Sequence, residues 1–196
     1  MKKKLSVSIN KKIEKFNKKI KIPGDKSCSI RALLLASQCI GESKIFNLLE
    51  STDVLDCCKA LRTLGVKIVK RKNHYSVYGN GLNSFRIKKK ITKLYIGNSM
   101  TTARLISGLC STIPSKFYLY GDASANRRDF MRVIEPLERV GAKFFPRKKT
   151  LPLTIEGTSL PLAQKHVETR GSSQVKGLIL LSALSTPGIT TVEELK

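Results

Sequence analysis

Of the 196 residues, 37 are lysine or arginine against 14 acidic ones, a formal charge of +23, and 41% are apolar. That content supports one ordinary core, so a single globular domain is expected and disorder is not. Apolar stretches such as residues 178–184 are too short to cross a bilayer, and the lysine-rich N-terminus lacks the apolar core of a signal peptide, so the expectation is a cytoplasmic protein.

In chain order, Leu5, Val7 and Ile9 alternate with polar residues and Ile20 and Ile22 follow, predicting two short strands around a polar turn within residues 1–22. Gly24 opens a helix running to about Gln38 and ending near Gly41. Residues 44–49 read as a strand. Residues 52–64 read as a helix, with Asp53 near its start and Gly65 as its C-cap. Residues 66–70 and 74–78 alternate across Asn73, with Gly79-Asn80-Gly81 closing that hairpin. Residues 94–96 lead into a second glycine loop whose helix stops near Ser111. A strand at 116–120, a helix at 131–140 and a hairpin from 143–145 and 151–155 follow, and residues 167–169 lead into a third loop and helix. The five cysteines (28, 39, 57, 58 and 110) form no C-x-x-C pair and read as small buried hydrophobes. His74 and His166, in a hairpin and a loop with no partner at metal or triad spacing, read as surface residues.

The loops repeat. Gly24-Asp25-Lys26-Ser27 is followed 73 residues later by Gly97-Asn98-Ser99-Met100, and 74 residues after that by Gly171-Ser172-Ser173-Gln174. Leu64-Gly65-Val66 is echoed by Val140-Gly141-Ala142 at a period of 76. The fold class is therefore α/β, built from repeated βαβαββ units. Each loop feeds a helix N-terminus, whose unpaired N–H groups and partial positive charge seat an anion. Lys26 adds a full charge, and Ser27 and Arg31 share a helix face four residues apart. An anionic small molecule is the first ligand to consider. The lysines flank strands and turns without aromatic interleaving, which disfavours a nucleic-acid surface.

Five segments carry a resemblance. They are Gly24-Asp25-Lys26-Ser27-Cys28-Ser29-Ile30-Arg31-Ala32-Leu33-Leu34-Leu35-Ala36; Gly97-Asn98-Ser99-Met100-Thr101-Thr102-Ala103-Arg104-Leu105; Gly121-Asp122-Ala123-Ser124 with Arg127-Arg128; Arg132-Val133-Ile134-Glu135-Pro136-Leu137; and Ser172-Ser173-Gln174-Val175-Lys176. In order and spacing they resemble the signatures of the 5-enolpyruvylshikimate-3-phosphate synthase family, from Gly24 to Glu193.

The resemblance implies an enolpyruvyl transferase fold, an inside-out α/β barrel-like arrangement with helices inside and sheets outside, here incomplete. Residues 1–22 would be opening strands that join a second domain. Residues 23–95 and 96–169 would be full repeats and 170–196 a truncated third, with the second domain absent. It implies transfer of the enolpyruvyl group of phosphoenolpyruvate to the 5-hydroxyl of shikimate 3-phosphate, releasing phosphate, in the shikimate pathway to chorismate and aromatic amino acids. No metal or organic cofactor is implied, and the full-length enzyme would be a monomer.

Carried over by position, Lys26 would be catalytic and lie between the substrates. Ser27 and Arg31 would hold the carboxylate of shikimate 3-phosphate, Ser172 and Ser173 its 3-phosphate, and Gln174 would touch both ligands. Met100 would line the phosphoenolpyruvate pocket and Arg128 would grip that ligand. Arg104 and Lys176 read as structural. Ile30 departs from a usually polar position, and since it falls on the apolar face with Leu33 and Leu34 little damage is expected. Met100 stands where the family has a very small residue, and is expected to weaken phosphoenolpyruvate binding and to exclude the longer inhibitor glyphosate even more. The family's acid/base residues would lie outside this chain, so the isolated polypeptide is expected to bind shikimate 3-phosphate weakly and not to turn over. Three rival readings are a UDP-N-acetylglucosamine enolpyruvyl transferase, a basic nucleic-acid-binding or RNA-end-processing protein on a related scaffold, and a non-catalytic remnant.

Overall fold

The computed structural model describes residues 6–12, 15–87 and 89–195. The first repeat comprises α1 (Lys26–Gln38), β1 (Ile40–Phe46), α2 (Thr52–Thr63), β2 (Lys67–Lys70) and β3 (His74–Asn80). The second comprises β4 (Ile91–Tyr95), α3 (Met100–Cys110), β5 (Lys116–Tyr120), α4 (Met131–Val140), β6 (Lys143–Phe145) and β7 (Leu153–Glu156). A third begins with β8 (Lys165–Glu168), α5 (Ser173–Ala183) and β9 (Thr191–Glu194).

Each repeat contributes its own sheet, in the orders β1-β3-β2, β4-β5-β7-β6 and β8-β9. Strands β4 and β5 run parallel, as β8 and β9 do, while β7 lies antiparallel on β5 as β3 does on β1. The sheets are therefore one plan carried to different extents, which is the expected fold class. Strand β9 was not foreseen; it forms because β8 offers a parallel edge from Lys165 to Glu168.

The helices stand between the sheets. Every residue of α3 but Arg104 is buried, the polar Thr101, Thr102 and Ser107 included. Helix α3 packs most closely on α5. Gly108 permits this approach, because a Cβ there would lie 2.2 Å from the Leu178 carbonyl oxygen. Among the described residues, no helix is long and apolar enough to cross a membrane.

Several expectations need correction. The described part of residues 6–22 contains no strand, and Val7, Ile9, Ile20 and Ile22 are exposed; Leu5 lies outside the described residues. Alternation supplies a strand with a face, but a strand also needs an edge to pair with, and none of the three sheets pairs with this segment. Gly79 and Asn80 do not close a hairpin. They extend β3, pairing with Gly41 and Ile40, which is also why β1 begins at Ile40 and not at residue 44. The β2–β3 turn closes instead where the Arg71 N–H donates to the His74 carbonyl at 2.8 Å. Cys57, Cys58 and Cys110 are buried, but Cys28 and Cys39 are exposed, one in the first turn of α1 and one just past its end.

Candidate functional site

The three long helices that follow glycine loops begin alike. The side chains of Asp25, Ser99 and Ser172 accept from the N–H groups of Cys28, Thr102 and Val175 at 2.7, 3.3 and 3.3 Å, fixing where α1, α3 and α5 start. These first turns also meet in space. Arg31, half-buried on α1, donates from Nη1 to the Ser27 carbonyl at 3.2 Å and from Nη2 to the Ser173 carbonyl at 3.4 Å, bridging α1 to α5. Gln174 joins α5 to α3: its Nε2 donates to Thr101 Oγ1 at 3.0 Å and its Oε1 accepts from Arg104 Nη1 at 2.6 Å. That pairing fixes which end of the amide faces which helix.

The other parts of the site hold the loops still. Gly97 takes a left-handed conformation, φ +56°, and a Cβ there would lie 2.1 Å from Oδ2 of the buried Asp56. The Asp122 N–H donates to the Gly97 carbonyl at 2.9 Å. Asn126 clamps Gly121, accepting its N–H at 2.9 Å and donating to its carbonyl at 3.0 Å. That folded loop delivers Arg127 and Arg128, both exposed, to its far end. In the third repeat, buried Glu168 accepts from the Arg170 N–H at 2.9 Å and from Arg132 at 3.2 Å. Burial pushes the Glu168 carboxyl up, but the N–H groups of Arg170 and Ser172, with His166 and Arg132, outweigh it and leave it below the ordinary range.

The site is strongly electropositive. Burial, then the charges of Arg132 and Arg128, lower the pKa of Arg104, so three guanidinium groups act on one another here. A guanidinium stays charged under such pressure, and an anion relieves it. Lys26 is paired instead with Asp53 at the start of α2, 3.0 Å away and partly exposed, so its charge is held in place by a neighbour that a ligand can displace.

Of the residues singled out from the sequence, Arg31, Ser173 and Gln174 share one network with Ser27, and Ser172 caps the helix that carries them. Lys26 joins through Asp53 rather than through that network. Arg128 is near enough for its charge to act on Arg104, yet among the described residues it has no ion-pair partner. Met100 opens α3 with only 5% of its surface exposed, packed into the core. Arg104, read as structural, holds Gln174; the signal was there, since Arg31 and Arg104 each stand seven residues past a loop glycine. Asp53, Asp56 and Glu168 were missed because the contacts that tie them to the site, with Lys26, Gly97 and Arg132, reach across 27 or more residues of chain. His166 is no surface residue: it lies in β8 with its side chain 13% exposed, 3.5 Å from Glu168.

The sequence model of one family, EPSP synthase (3-phosphoshikimate 1-carboxyvinyltransferase), matches residues 10–196. The 3-phosphoshikimate 1-carboxyvinyltransferase of Nitrobacter winogradskyi is 37% identical over 191 residues, which cover 94% of this chain and 42% of the relative. That of Ruegeria is 40% identical over 178 residues, 88% of this chain and 38% of the relative. The solved EPSP synthase of Acinetobacter baumannii superposes with a TM-score of 0.83 at 32% identity, covering 90% of this chain and 40% of that one. The chain thus spans about 40% of the length of the proteins it matches.

Proposed function

The chain belongs to the EPSP synthase family, and on that premise we propose that it forms the shikimate 3-phosphate side of the cleft of a 3-phosphoshikimate 1-carboxyvinyltransferase. The reaction moves the enolpyruvyl group of phosphoenolpyruvate to the 5-hydroxyl of shikimate 3-phosphate and releases phosphate. The observation that carries the reading is the network Arg31–Ser173 and Arg104–Gln174–Thr101, which gathers the first turns of three capped helices around unneutralised guanidinium groups.

In this reading the planar fork of Arg31 takes the shikimate carboxylate through two oxygens, with Ser27 beside it. Ser172 and Ser173 offer hydroxyls, and the α5 terminus its N–H groups, to the 3-phosphate. Gln174, held from behind by Arg104 and Thr101, reaches both ligands. Arg128 binds phosphoenolpyruvate, against which Met100 packs. Lys26 leaves Asp53 for the reacting centre, where a point charge offsets negative charge developing as the enol ether is attacked and phosphate departs. Residues 1–22 belong with the second domain of the full-length enzyme, a cytoplasmic monomer that works on two small anions without a metal or organic cofactor.

Calorimetric titration of the 196-residue chain with shikimate 3-phosphate tests this. Saturable binding is expected that Arg31→Leu weakens by about tenfold or more, the loss of a charge-assisted pair. Phosphate release from both substrates is expected to stay at background. Binding indifferent to Arg31→Leu and to Ser172→Ala, or steady phosphate release by this chain alone, would contradict the proposal.

A further inference from the structure

A cavity of about 650 Å3 lies at the other end of α2, in the seam between the first and second repeats. It is remote from the gathered helix N-termini. Helix α2 starts beside Lys26 through Asp53, and Arg62 follows nine residues later, roughly 14 Å along the axis.

Four cations line it, Arg62, Arg86, Lys89 and Lys93, together with the hydroxyl residues Thr63 and Thr92, and among the described residues no carboxylate is in its walls. Among the described residues none of these four cations is in an ion pair. Two are anchored. The Arg86 N–H donates to the Leu64 carbonyl at 2.9 Å, and its first side-chain carbons lie over Gly65. Arg62 donates from Nε and Nη2 to the Ile68 carbonyl at 3.3 and 2.9 Å, leaving the rest of its fork available.

A second cavity, of about 290 Å3 beside Gly141 in the second repeat, offers a comparison. Lys116 and Lys143 line it together with Glu156, which pairs with Lys116 at 3.2 Å. Among the described residues one hollow thus carries a carboxylate with its cations and the other carries cations alone.

We propose that the seam between the first two repeats binds a small polyanion carrying two or more phosphate groups. Several separated cations around one hollow suit a chain of phosphates, which can bridge them in a way a single phosphate cannot. Among the described residues the hollow has no aromatic wall on which a base could stack, so recognition runs through the phosphates. This site is independent of the catalytic reading above and can stand if that reading falls.

Calorimetric titration of the 196-residue chain with tripolyphosphate, ATP and inorganic phosphate tests it. Tripolyphosphate is expected to bind saturably, at least about tenfold more tightly than inorganic phosphate. Competition by ATP at equal strength identifies the phosphate tail of a nucleotide as a sufficient ligand; failure of ATP to compete restricts the site to inorganic polyphosphate. The double variant Arg86→Ser with Lys93→Ser, both exposed positions, is expected to weaken tripolyphosphate at least about tenfold. Lys116→Ser with Lys143→Ser, which removes two positive charges from the other cavity, is expected to change it less than about twofold. Equal weakening by the two variants, or no saturable binding, overturns the proposal in favour of diffuse attraction to a +23 chain. Amide NMR on the unmodified chain gives a readout free of variants. Tripolyphosphate should shift residues 62–65 and 91–93, and shifts confined to the loops at Lys26 and Ser172 would overturn the site. A single-stranded RNA that binds equally well to both variants, with tripolyphosphate unable to displace it, would assign the charge to a nucleic-acid surface and likewise overturn it.

Discussion

Gly108→Ala is the sharpest probe of how the α3–α5 contact builds the site. The new Cβ would stand 2.2 Å from the Leu178 carbonyl oxygen, 3.0 Å from its carbon and 3.2 Å from its Cα, all backbone atoms that no rotamer change can move. Carbon–oxygen contacts settle at about 3.3 Å or beyond, so the helices must part by roughly 1 Å. Overpacking of this kind costs about 1–3 kcal/mol, and a clash of backbone on backbone belongs at the upper end. Alanine's better helix propensity returns about 1 kcal/mol. The net loss is about 2 kcal/mol, which lowers the urea midpoint by roughly 1 M at an m-value of about 2 kcal/mol/M. Leu178 lies one turn beyond Gln174, so parting the helices also opens the Gln174 bonds to Thr101 and Arg104. Shikimate 3-phosphate affinity is therefore expected to fall together with stability. An alanine variant with an unchanged midpoint would show that α3 and α5 are not seated this closely, and unchanged affinity would detach Gln174 from the site.

Glu168→Gln is expected to flatten the acid limb of the stability profile. The folded carboxyl titrates below its ordinary 4.5, so its contribution is complete above that value and is lost as pH falls through the folded pKa. Urea midpoints from pH 3 to 7 check this, and parallel profiles for the two proteins would refute it. Met100→Gly is expected to cost at least about 2 kcal/mol, since the side chain is 5% exposed. In a protein extending over the full length of the relatives, the same change is expected to tighten binding of phosphoenolpyruvate and, more strongly, of glyphosate; inhibition constants unmoved in both would reject the pocket role. Lys26→Met is expected to abolish turnover in that longer protein while leaving the fold intact, because among the described residues its ion-pair partner is the partly exposed Asp53. Retained phosphate release would remove Lys26 from the catalytic role.

What the sequence made legible was local. The helices at 131–140 and from Thr52, and the strands at 116–120 and 143–145, stand where their periodicity put them, because caps, turns and apolar spacing act within a few residues. The early start of β1 at Ile40 and the strand β9 could not be seen in that way. Each exists through a neighbour brought alongside by the fold, β3 in one case and β8 in the other. The site divides similarly. Loop glycines, caps and the position of Arg31 repeat in the sequence, whereas Asp53 beneath Lys26 and Asp56 beneath Gly97 are tertiary contacts. Arg104 falls between the two kinds: the repeat marks its position, but only the structure shows Gln174 resting on it.

The clustered arginines also repel one another. Arg128 and Arg132 both lower the pKa of Arg104, a half-buried group whose hydrogen bond goes to the neutral Gln174. Among the described residues Arg132 alone of the three is in an ion pair, with Glu168 at 3.2 Å, while the Asp129 carboxylate partly offsets the repulsion felt by Arg104. Removing the exposed Arg128 charge therefore eases the unliganded protein while depriving an anion of a partner. Arg128→Gln is expected to raise the unliganded melting temperature slightly, and to shrink the rise that saturating phosphoenolpyruvate or shikimate 3-phosphate produces by binding the folded state. Melting curves with and without each ligand separate the two effects. A variant that melts lower when empty would mean Arg128 is a structural residue, and an undiminished ligand-induced rise would mean the anions bind elsewhere.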